Sequence, residues 1–245
     1  LLDKFTARGI DYAGLVRTAR PTTTKIRIIG GHQQMLRLDF EDDSPIVGDE
    51  AEQYLGYIDQ KLNESMDCVI ISDYGKGSCT EYACQRIIRL AHDHGVPVIV
   101  DPKGAQWAKY KDADYITPNL KEINEILLEP IANDDFDVEK AARYAMRKFS
   151  LRNILLTRSE KGLSLIHGDE VVHIPTKAQE VFDVSGAGDT VIAVFGLALA
   201  GGLKPTDGAY LANLAASVVV SKLGTYAVSR EELLRVIEIQ EAEKL

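Results

Sequence analysis

The chain contains 245 residues, of which 45% are apolar, and its formal net charge is −9 at pH 7. This length and apolar content are sufficient for one sizeable hydrophobic core. Because proteins that bind nucleic acids or anionic membranes are usually basic, the negative charge argues against nucleic acid and membrane partners. No apolar stretch approaches the ~18 residues of a membrane span, and no segment has the pattern of a signal peptide. These features predict a cytoplasmic protein.

The N-terminal part of the chain predicts a short helix followed by a β-hairpin over residues 22–40. Apolar and polar residues alternate on both sides of Gly30-Gly31, and β-branched residues dominate the first arm. The hairpin does not fit the pattern that follows it, so we expect it to form a flap over one end of the molecule.

Helices and strands alternate along the rest of the chain. The predicted helices cover residues 51–62 and 81–95, and the predicted strands cover 68–72, 96–101, 115–119 and 153–158. A second hairpin over 163–175 turns at Gly168-Asp169. Strands that are apolar along their whole length are covered on both faces, and helices between them suit parallel crossovers. The pattern predicts an α/β protein with a mostly parallel, doubly wound sheet and helices on both faces.

A polar turn follows each of four predicted strands. The turns occupy residues 72–77, 101–104, 119–122 and 157–162. In an open α/β sheet, ligands bind outside the carboxyl ends of the strands. One such turn would be ordinary, but the four together predict a binding site at one edge of the sheet.

The segment DVSGAGDT, residues 183–190, places two aspartates around a run of small residues just before a helix that should begin near Ala187. Small residues let the backbone approach a ligand, and the first amides of a helix attract anions. Asp189 beside such a cradle suits a base that takes a proton from a hydroxyl attacking a phosphate. The alternative is that Asp183 and Asp189 only cap the helix and the glycines only form a tight turn.

This segment resembles a signature of the ribokinase-like (PfkB) carbohydrate kinases, and further segments match that family in order along residues 5–230. They are PTTTKIRIIGGHQQMLRLDFED, ISDYGKG, VDPKG, TPNLKE, LLTRSEKGLSL, TKAQEVFDVSGAGDTVIAVFGLALAGG and ANLAASVVVSKLGT. The set is most similar to the bacterial kinase domains that phosphorylate D-glycero-β-D-manno-heptose 7-phosphate at O1 for ADP-heptose and lipopolysaccharide synthesis. The resemblance implies a ribokinase-like fold over residues 1–245, with residues 20–42 as a lid that also pairs two subunits in a homodimer.

The resemblance also implies roles for single residues. Asp189 matches the catalytic base, and Gly186, Ala187 and Gly188 match the anion hole. Asn119 and Glu122 match an N-x-x-E motif linked to Mg²⁺ and the phosphates of ATP, so that the whole turn Asn119, Leu120, Lys121 and Glu122 is assigned to the nucleotide. The remaining nucleotide residues are Thr157, Arg158, Ser159, Gly162 and Asn213. The implied cofactors are ATP and Mg²⁺, and the need for K⁺ stays open.

A phosphorylated sugar needs a basic receptor despite the negative charge of the chain. Arg37 on the hairpin and Lys76 and Lys103 in the strand-end turns are the candidates, and Arg suits bidentate phosphate contacts. The alternative is that the charges on the hairpin are solvated and protect its edges. Asp73 and Asp101 suit sugar hydroxyls or the water shell of a magnesium ion, or else they cap the following helix.

The chain departs from the family in one respect. The family domain normally starts with a strand that carries an Asp for sugar hydroxyls and with a Gly-Gly loop, and we find neither, so we expect an N-terminally truncated domain. Three alternatives remain. They are another sugar kinase of this family, a nucleotide-binding or dimerising module without catalysis, and a Rossmann dehydrogenase, which the missing GxGxxG argues against. Whether an adenylyltransferase follows Leu245 stays open.

Overall fold

The computed structural model describes residues 2–31, 33–178 and 180–242. The helices are α1 (Leu2–Thr6), α2 (Asp49–Asn63), α3 (Glu81–Asp93), α4 (Leu120–Glu125), α5 (Asp135–Phe149), α6 (Ala187–Ala200), α7 (Pro205–Val220) and α8 (Arg230–Ala242). The strands are β1 (Thr24–Gly30), β2 (Gln33–Phe40), β3 (Val69–Ser72), β4 (Val98–Asp101), β5 (Tyr115–Ile116), β6 (Asn153–Thr157), β7 (Leu163–His167) and β8 (Glu170–Ile174). Of the helices in the described ranges, none combines the length and the apolar character needed to cross a membrane.

Six strands form one sheet in the order β3-β4-β5-β6-β7-β8. The first four are parallel to one another, and β7 and β8 are antiparallel additions at one side. The predicted mostly parallel α/β sheet is therefore confirmed. Both predicted hairpins are present as well, one as β1 and β2 and the other as β7 and β8.

The sheet is buried on both faces, as its apolar strands require. In β4, Val98 and Val100 pack into the core formed with α2, α3 and α5, whereas Ile99 packs into the core formed with α6 and α7. All three side chains are fully buried. The helices that connect the parallel strands thus cover one face, and the two apolar helices after the second hairpin cover the other.

The helix α6 lies close to the sheet because it carries a glycine at the contact. A Cβ atom on Gly196 would lie 3.1 Å from Ile70 and 3.4 Å from Ile99. Phe195 is buried beside it and meets Tyr115 edge to face, with the ring centroids 4.9 Å apart. This packing fixes the position of the N-terminus of α6, where the aspartate motif ends.

The strand β5 is shorter than the sequence predicts. Regular pairing ends at Ile116, because Pro118 has no amide hydrogen to donate. The pairing resumes as one isolated bridge between Asn119 and Thr157. The turn that contains Asn119 is thereby brought against the end of β6.

The hairpin of β1 and β2 has two different faces. On one face, Ile26 lies opposite Leu38 and Ile28 lies opposite Leu36, and all four side chains are exposed. On the other face lie charged side chains, which are described with the site. Exposed apolar side chains in such a row are typical of an interaction surface.

Candidate active site

The four strand-end turns meet at one edge of the sheet, as predicted. The Asp73 amide donates to the Asp101 carbonyl at 3.0 Å, which joins the turns after β3 and β4. Lys103 forms a 3.1 Å ion pair with Glu122, which joins the turns after β4 and β5. The bridge between Asn119 and Thr157 joins the last two. We refer to this place as the carboxyl edge of the sheet.

The N-terminus of α6 reaches the same edge. Gly186 caps the helix in the left-handed conformation, with φ +83°, and no side chain caps it. The Ala187 amide donates to the Val184 carbonyl at 3.2 Å, so it is already engaged. Among the described residues, the amides of Gly188 and Asp189 donate to no backbone carbonyl. Two free helix-start amides therefore remain for an anion.

Asp189 does not cap the helix. It is the third residue of α6, its side chain is exposed, and its carboxylate accepts a hydrogen bond of 3.0 Å from the Tyr74 hydroxyl. Tyr74 lies in the turn after β3, so this bond joins the aspartate motif to the carboxyl edge. An exposed carboxylate beside free amides can accept a proton from a hydroxyl group that is bound next to a phosphate.

Asp183 has a different role from Asp189. Its carboxylate accepts the amide of Ser185 at 2.9 Å and that of Gly224 at 3.1 Å. The hydrogen bonds from Ser185 hold the pKa of Asp183 below its ordinary value. Asp183 thus ties the segment before α6 to the segment after α7, and its place is structural.

Asp101 is a half-buried carboxyl group at the carboxyl edge. Burial, together with the nearby negative charges of Glu122 and Asp189, raises its pKa from 3.8 to about 7. Like charges around a half-buried carboxyl group favour the binding of a cation or of a proton. The sequence pointed to Asp101 as a candidate without distinguishing it from a helix cap.

Asn119 and Glu122 form a capping box at the start of α4. The Asn119 side chain accepts the Glu122 amide at 2.9 Å, and the Glu122 side chain accepts the Asn119 amide at 3.1 Å. Leu120 and Lys121 are the first two residues of the helix between them. The spacing that the resemblance assigns to nucleotide phosphates is therefore also the spacing that closes a helix N-terminus.

The donor set at this edge suits a magnesium ion that keeps most of its water. Within the described ranges, no three His, Cys, Asp or Glu side chains lie close enough together to hold a metal ion directly. Glu122 is 6% exposed, and its second oxygen pairs with Lys103, whose side chain is exposed. Mg²⁺ prefers carboxylate oxygen, water and substrate phosphate, so one carboxylate with a displaceable partner fits that ion.

Arg158 supports the turn after β6 from the interior of the protein. This residue is 1% exposed, and its guanidinium donates to Asn133, to Asp135 at 2.5 Å and to Ser164 at 3.0 Å. Arg158 therefore supports the predicted nucleotide turn from the interior instead of lying along its surface.

Within that turn, Thr157 ends β6 and Ser159 is exposed. Gly162 has φ +80°, and a Cβ atom there would overlap the Ile174 carbonyl. Only glycine allows the chain to turn at this point while it touches the next segment. Of the predicted residues of this turn, Ser159 is the one that faces outward.

Asn213 lies inside the protein on α7. It donates to the Pro175 carbonyl at 2.8 Å and so fixes the segment that leads from β8 to the aspartate motif. One turn further along α7, a cleft of about 340 Å³ lies between α7 and α8, with Lys177, Ser217 and Arg235 in its walls. Lys222 also lines the cleft, two residues before Gly224, whose amide Asp183 binds.

Asp73 is 3% exposed, and its carboxylate is fully engaged by the protein. One oxygen accepts the Gly75 amide at 2.6 Å, and the other accepts Lys109 at 2.5 Å and Tyr110 at 2.6 Å. Its predicted contact with substrate stays a prediction, whereas its hold on the turn after β3 is a feature of the structure.

Two of the predicted phosphate receptors, one on the hairpin and one in the turn after β3, already pair with acidic neighbours. Arg37 contacts Asp39 at 3.1 Å, and Lys76 contacts Glu41 at 2.5 Å. Lys25 contacts both of these carboxylates. These pairs place Arg37 and Lys76 on the charged face of the hairpin, while Lys103 lies apart from them at Glu122.

Sequence reasoning missed Tyr74 as a residue of this site. The scattered tyrosines look like packing residues, yet this one is exposed and binds the candidate base. The signal available was its position, directly after Asp73 in a strand-end turn.

A sheet of this topology, with a helix N-terminus and a carboxylate at its carboxyl edge, has the architecture of the ribokinase-like proteins. Phosphofructokinase-2 from Escherichia coli in complex with potassium has a TM-score of 0.79 at 16% identity, over 98% of this chain and 78% of its own. Ribokinase from Thermotoga maritima has a TM-score of 0.74 at 24% identity, over 97% of this chain and 76% of its own. These two structures define the fold.

The chain belongs to the pfkB family of carbohydrate kinases, whose family model matches residues 1–232. The bifunctional protein HldE of Geobacter sulfurreducens is 41% identical over 245 residues, which are 99% of this chain. The chain spans about half the length of this curated relative.

Proposed function

We propose that the chain is an ATP-dependent kinase that phosphorylates D-glycero-β-D-manno-heptose 7-phosphate at O1, in the synthesis of ADP-heptose for lipopolysaccharide. The observation that carries the proposal is the exposed Asp189 carboxylate beside the free amides of α6. A base and an anion cradle on one turn are the two things that phosphoryl transfer to a hydroxyl needs.

In the proposed reaction, an O1 lone pair attacks the γ-phosphorus of ATP and the bond to the bridging oxygen breaks, which releases ADP. Asp189 takes the O1 proton and later loses it to solvent. The amides of Gly188 and Asp189, on a turn shaped by Gly186 and Ala187, hold the charge that develops on the phosphoryl oxygens. Mg²⁺, when bound near Glu122 and Asn119, would neutralise phosphate charge.

The nucleotide would lie along the edge from the aspartate motif to the cleft between α7 and α8. Asp183 joins the two ends of this path by binding Gly224. In this assignment Ser159 and the turn at residues 119–122 face the phosphates, and Arg158, Gly162 and Asn213 fix the walls. Potassium is bound in the phosphofructokinase-2 structure, so we include K⁺ as a condition to test.

The choice of sugar rests on the ordered motifs and on the relatives. The relative from Geobacter is called bifunctional and is about twice as long as this chain. Both facts agree with a kinase unit, residues 1–245, of a protein that also carries a second activity. A second candidate is a kinase of the same family that acts on another phosphorylated sugar. Arg37 and Lys76 carry charge that suits a phosphate, but they do not select the sugar.

We also propose that the hairpin at residues 20–42 is a lid that excludes water and pairs two subunits in a homodimer. Its charged face would turn to the substrate, and its apolar face would turn to the second subunit. ATP as phosphoryl donor suits work in the cytoplasm.

The test is ADP release with ATP and Mg²⁺, with and without K⁺, across mannoheptose 7-phosphate, fructose phosphates and ribose. We expect turnover with the heptose phosphate, and a loss of about 10²–10⁴-fold in kcat for Asp189→Asn, because the base is removed. Asp207→Asn is the control, because Asp207 is likewise an exposed aspartate at the third position of its helix, α7. Turnover with another sugar would replace the substrate. ATP binding with no sugar-dependent turnover, both by this chain and by a version extended at its N-terminus, would contradict the kinase proposal.

A further inference from the structure

An exposed tyrosine at the carboxyl edge donates a hydrogen bond to the candidate base, although an exposed hydroxyl does not need a protein acceptor. Tyr74 is 59% exposed, yet its hydroxyl donates to the carboxylate of Asp189, which lies 115 positions away in the chain. An exposed tyrosine hydroxyl can donate its hydrogen bond to water instead of to a carboxylate. The bond to Asp189 is therefore stable only if the turn holds the Tyr74 ring in this position.

The turn after β3 does fix the ring. On one side of Tyr74, the Asp73 amide binds Asp101, and its buried carboxylate holds the Gly75 amide at 2.6 Å. On the other side, Arg20 donates to the Lys76 carbonyl at 3.0 Å. The backbone is thus held before and after Tyr74, and the bond to Asp189 is built into the fold.

The turn is also attached to the lid. The Gly77 carbonyl accepts the Ile46 amide at 2.9 Å, just beyond the hairpin, and Lys76 pairs with Glu41 at the end of β2. The position of Tyr74 therefore depends on the base of the lid as well as on the sheet. A displacement of the lid would therefore move the turn after β3 and change the contact between Tyr74 and Asp189.

A carboxylate base has two oxygens, and only one of them takes the proton. A hydroxyl donor on Oδ1 stabilises the ionised form and fixes the rotation of the side chain, which leaves Oδ2 for the attacking hydroxyl. Asp189 is on the first turn of α6, where no other described side chain donates to it. We propose that Tyr74 is a positioning residue that holds Asp189 in the orientation needed to accept the substrate proton.

The inference rests on the proposed role of Asp189. Burial and the charge of Asp189 raise the pKa of Tyr74 above its ordinary value of 10.0, which gives a readout of the contact that does not need turnover. In protein carrying ¹³C-labelled tyrosine, the resonance that Tyr74→Phe removes identifies Tyr74. We expect Asp189→Asn to lower the pH at which this resonance titrates, and an unchanged titration would overturn the inference.

The kinetic test compares Tyr74→Phe with Tyr82→Phe. Tyr82 is a matched control, because it is 56% exposed and its hydroxyl also donates to a carboxylate, Glu52, at 2.7 Å. We expect Tyr74→Phe to lower kcat about tenfold, the value of one hydrogen bond to a charged group, with both KM values and the Tm unchanged. Tyr82→Phe should keep full kcat.

The double variant separates positioning from an independent contact with substrate. If Tyr74 acts only through Asp189, then Tyr74→Phe adds no further loss in the Asp189→Asn background. A full kcat for Tyr74→Phe, a change confined to KM, or additive losses would overturn the inference while the kinase proposal stands. If neither the unaltered chain nor its N-terminally extended version shows sugar-dependent turnover with any substrate, both proposals fail.

Discussion

Two kinds of polar turn meet at the carboxyl edge of the sheet. In the turns after β3 and β6, the charged residues Asp73 and Arg158 are buried, and protein atoms already occupy their polar groups. At the start of α6, by contrast, Asp189 is exposed, and the amide of Gly188 has no backbone acceptor among the described residues. A polar group that the protein has satisfied holds the site in shape, whereas an open one is available to a ligand.

The largest expected effect on stability comes from a substitution at a buried polar group that the protein has satisfied. Asp73→Asn leaves Lys109, a largely buried cation, without its 2.5 Å ion pair. Breaking a buried pair on one side typically costs about 3–5 kcal/mol, so the free energy of unfolding should fall by about that amount. Urea unfolding measures it. Asp189→Asn is the matched exposed change, and it should cost less than about 0.5 kcal/mol.

Equal stabilities for these two variants would mean that burial does not separate the two kinds of turn. A stable Asp73→Asn variant without turnover would instead move Asp73 to the ligand side of the comparison.

The apolar face of the hairpin is a second exposed surface that the protein itself leaves without partners among the described residues. Leu38 lies on the apolar face opposite Ile26, and Arg27 lies on the charged face of the same strand pair. If the apolar face joins two subunits, Leu38→Glu should weaken self-association by at least about tenfold, because burial of a leucine contributes about 1.5–3 kcal/mol. Sedimentation velocity across a dilution series measures this. Arg27→Gln is the control, and equal dissociation of both variants, or a monomeric parent chain, would contradict the pairing.

A third effect concerns the pH dependence of stability. Asp101 has a folded pKa of about 7 against an ordinary value of 3.8, so the folded state holds the extra proton between these values. Stability from this group is therefore present at low pH and is lost as the pH rises from about 4 to about 7. Asp101→Asn should remove that slope, while Asp183→Asn should not.

Urea unfolding at pH 4, 5.5, 7 and 8 would measure both profiles. Parallel profiles for the parent chain and Asp101→Asn would show that Asp101 titrates at its ordinary value.

Much of the fold is readable from the sequence because the hydrophobic pattern is unambiguous. The apolar, β-branched run at 98–100 predicts a strand buried on both faces, and the alternation at 24–40 predicts the hairpin. The segment at 115–119 predicts a longer strand than the structure has, because residues of high strand propensity continue up to Pro118, where the missing amide ends the pairing.

Only part of the site can be predicted from the sequence, because the residues that contact each other there are distant along the chain. The small residues at 186–188 predict a helix start that is open to an anion, and the structure places it at the carboxyl edge. Arg158 and Asn213 lie in matching motifs, yet nothing local in the sequence shows that Asn133 and Pro175 occupy them. Tyr74 reaches Asp189 only through the fold.

The capping box at Asn119 and Glu122 affects how inactive alleles should be interpreted. An alanine at either position deletes a backbone hydrogen bond as well as a polar side chain, so α4 would fray and the turn beneath it would loosen. Such an allele would resemble a loss of nucleotide contacts even if the nucleotide never touched that residue. Glutamine at position 122 keeps the reciprocal bonds and removes only the charge, and it is therefore the exchange that distinguishes chemistry from architecture.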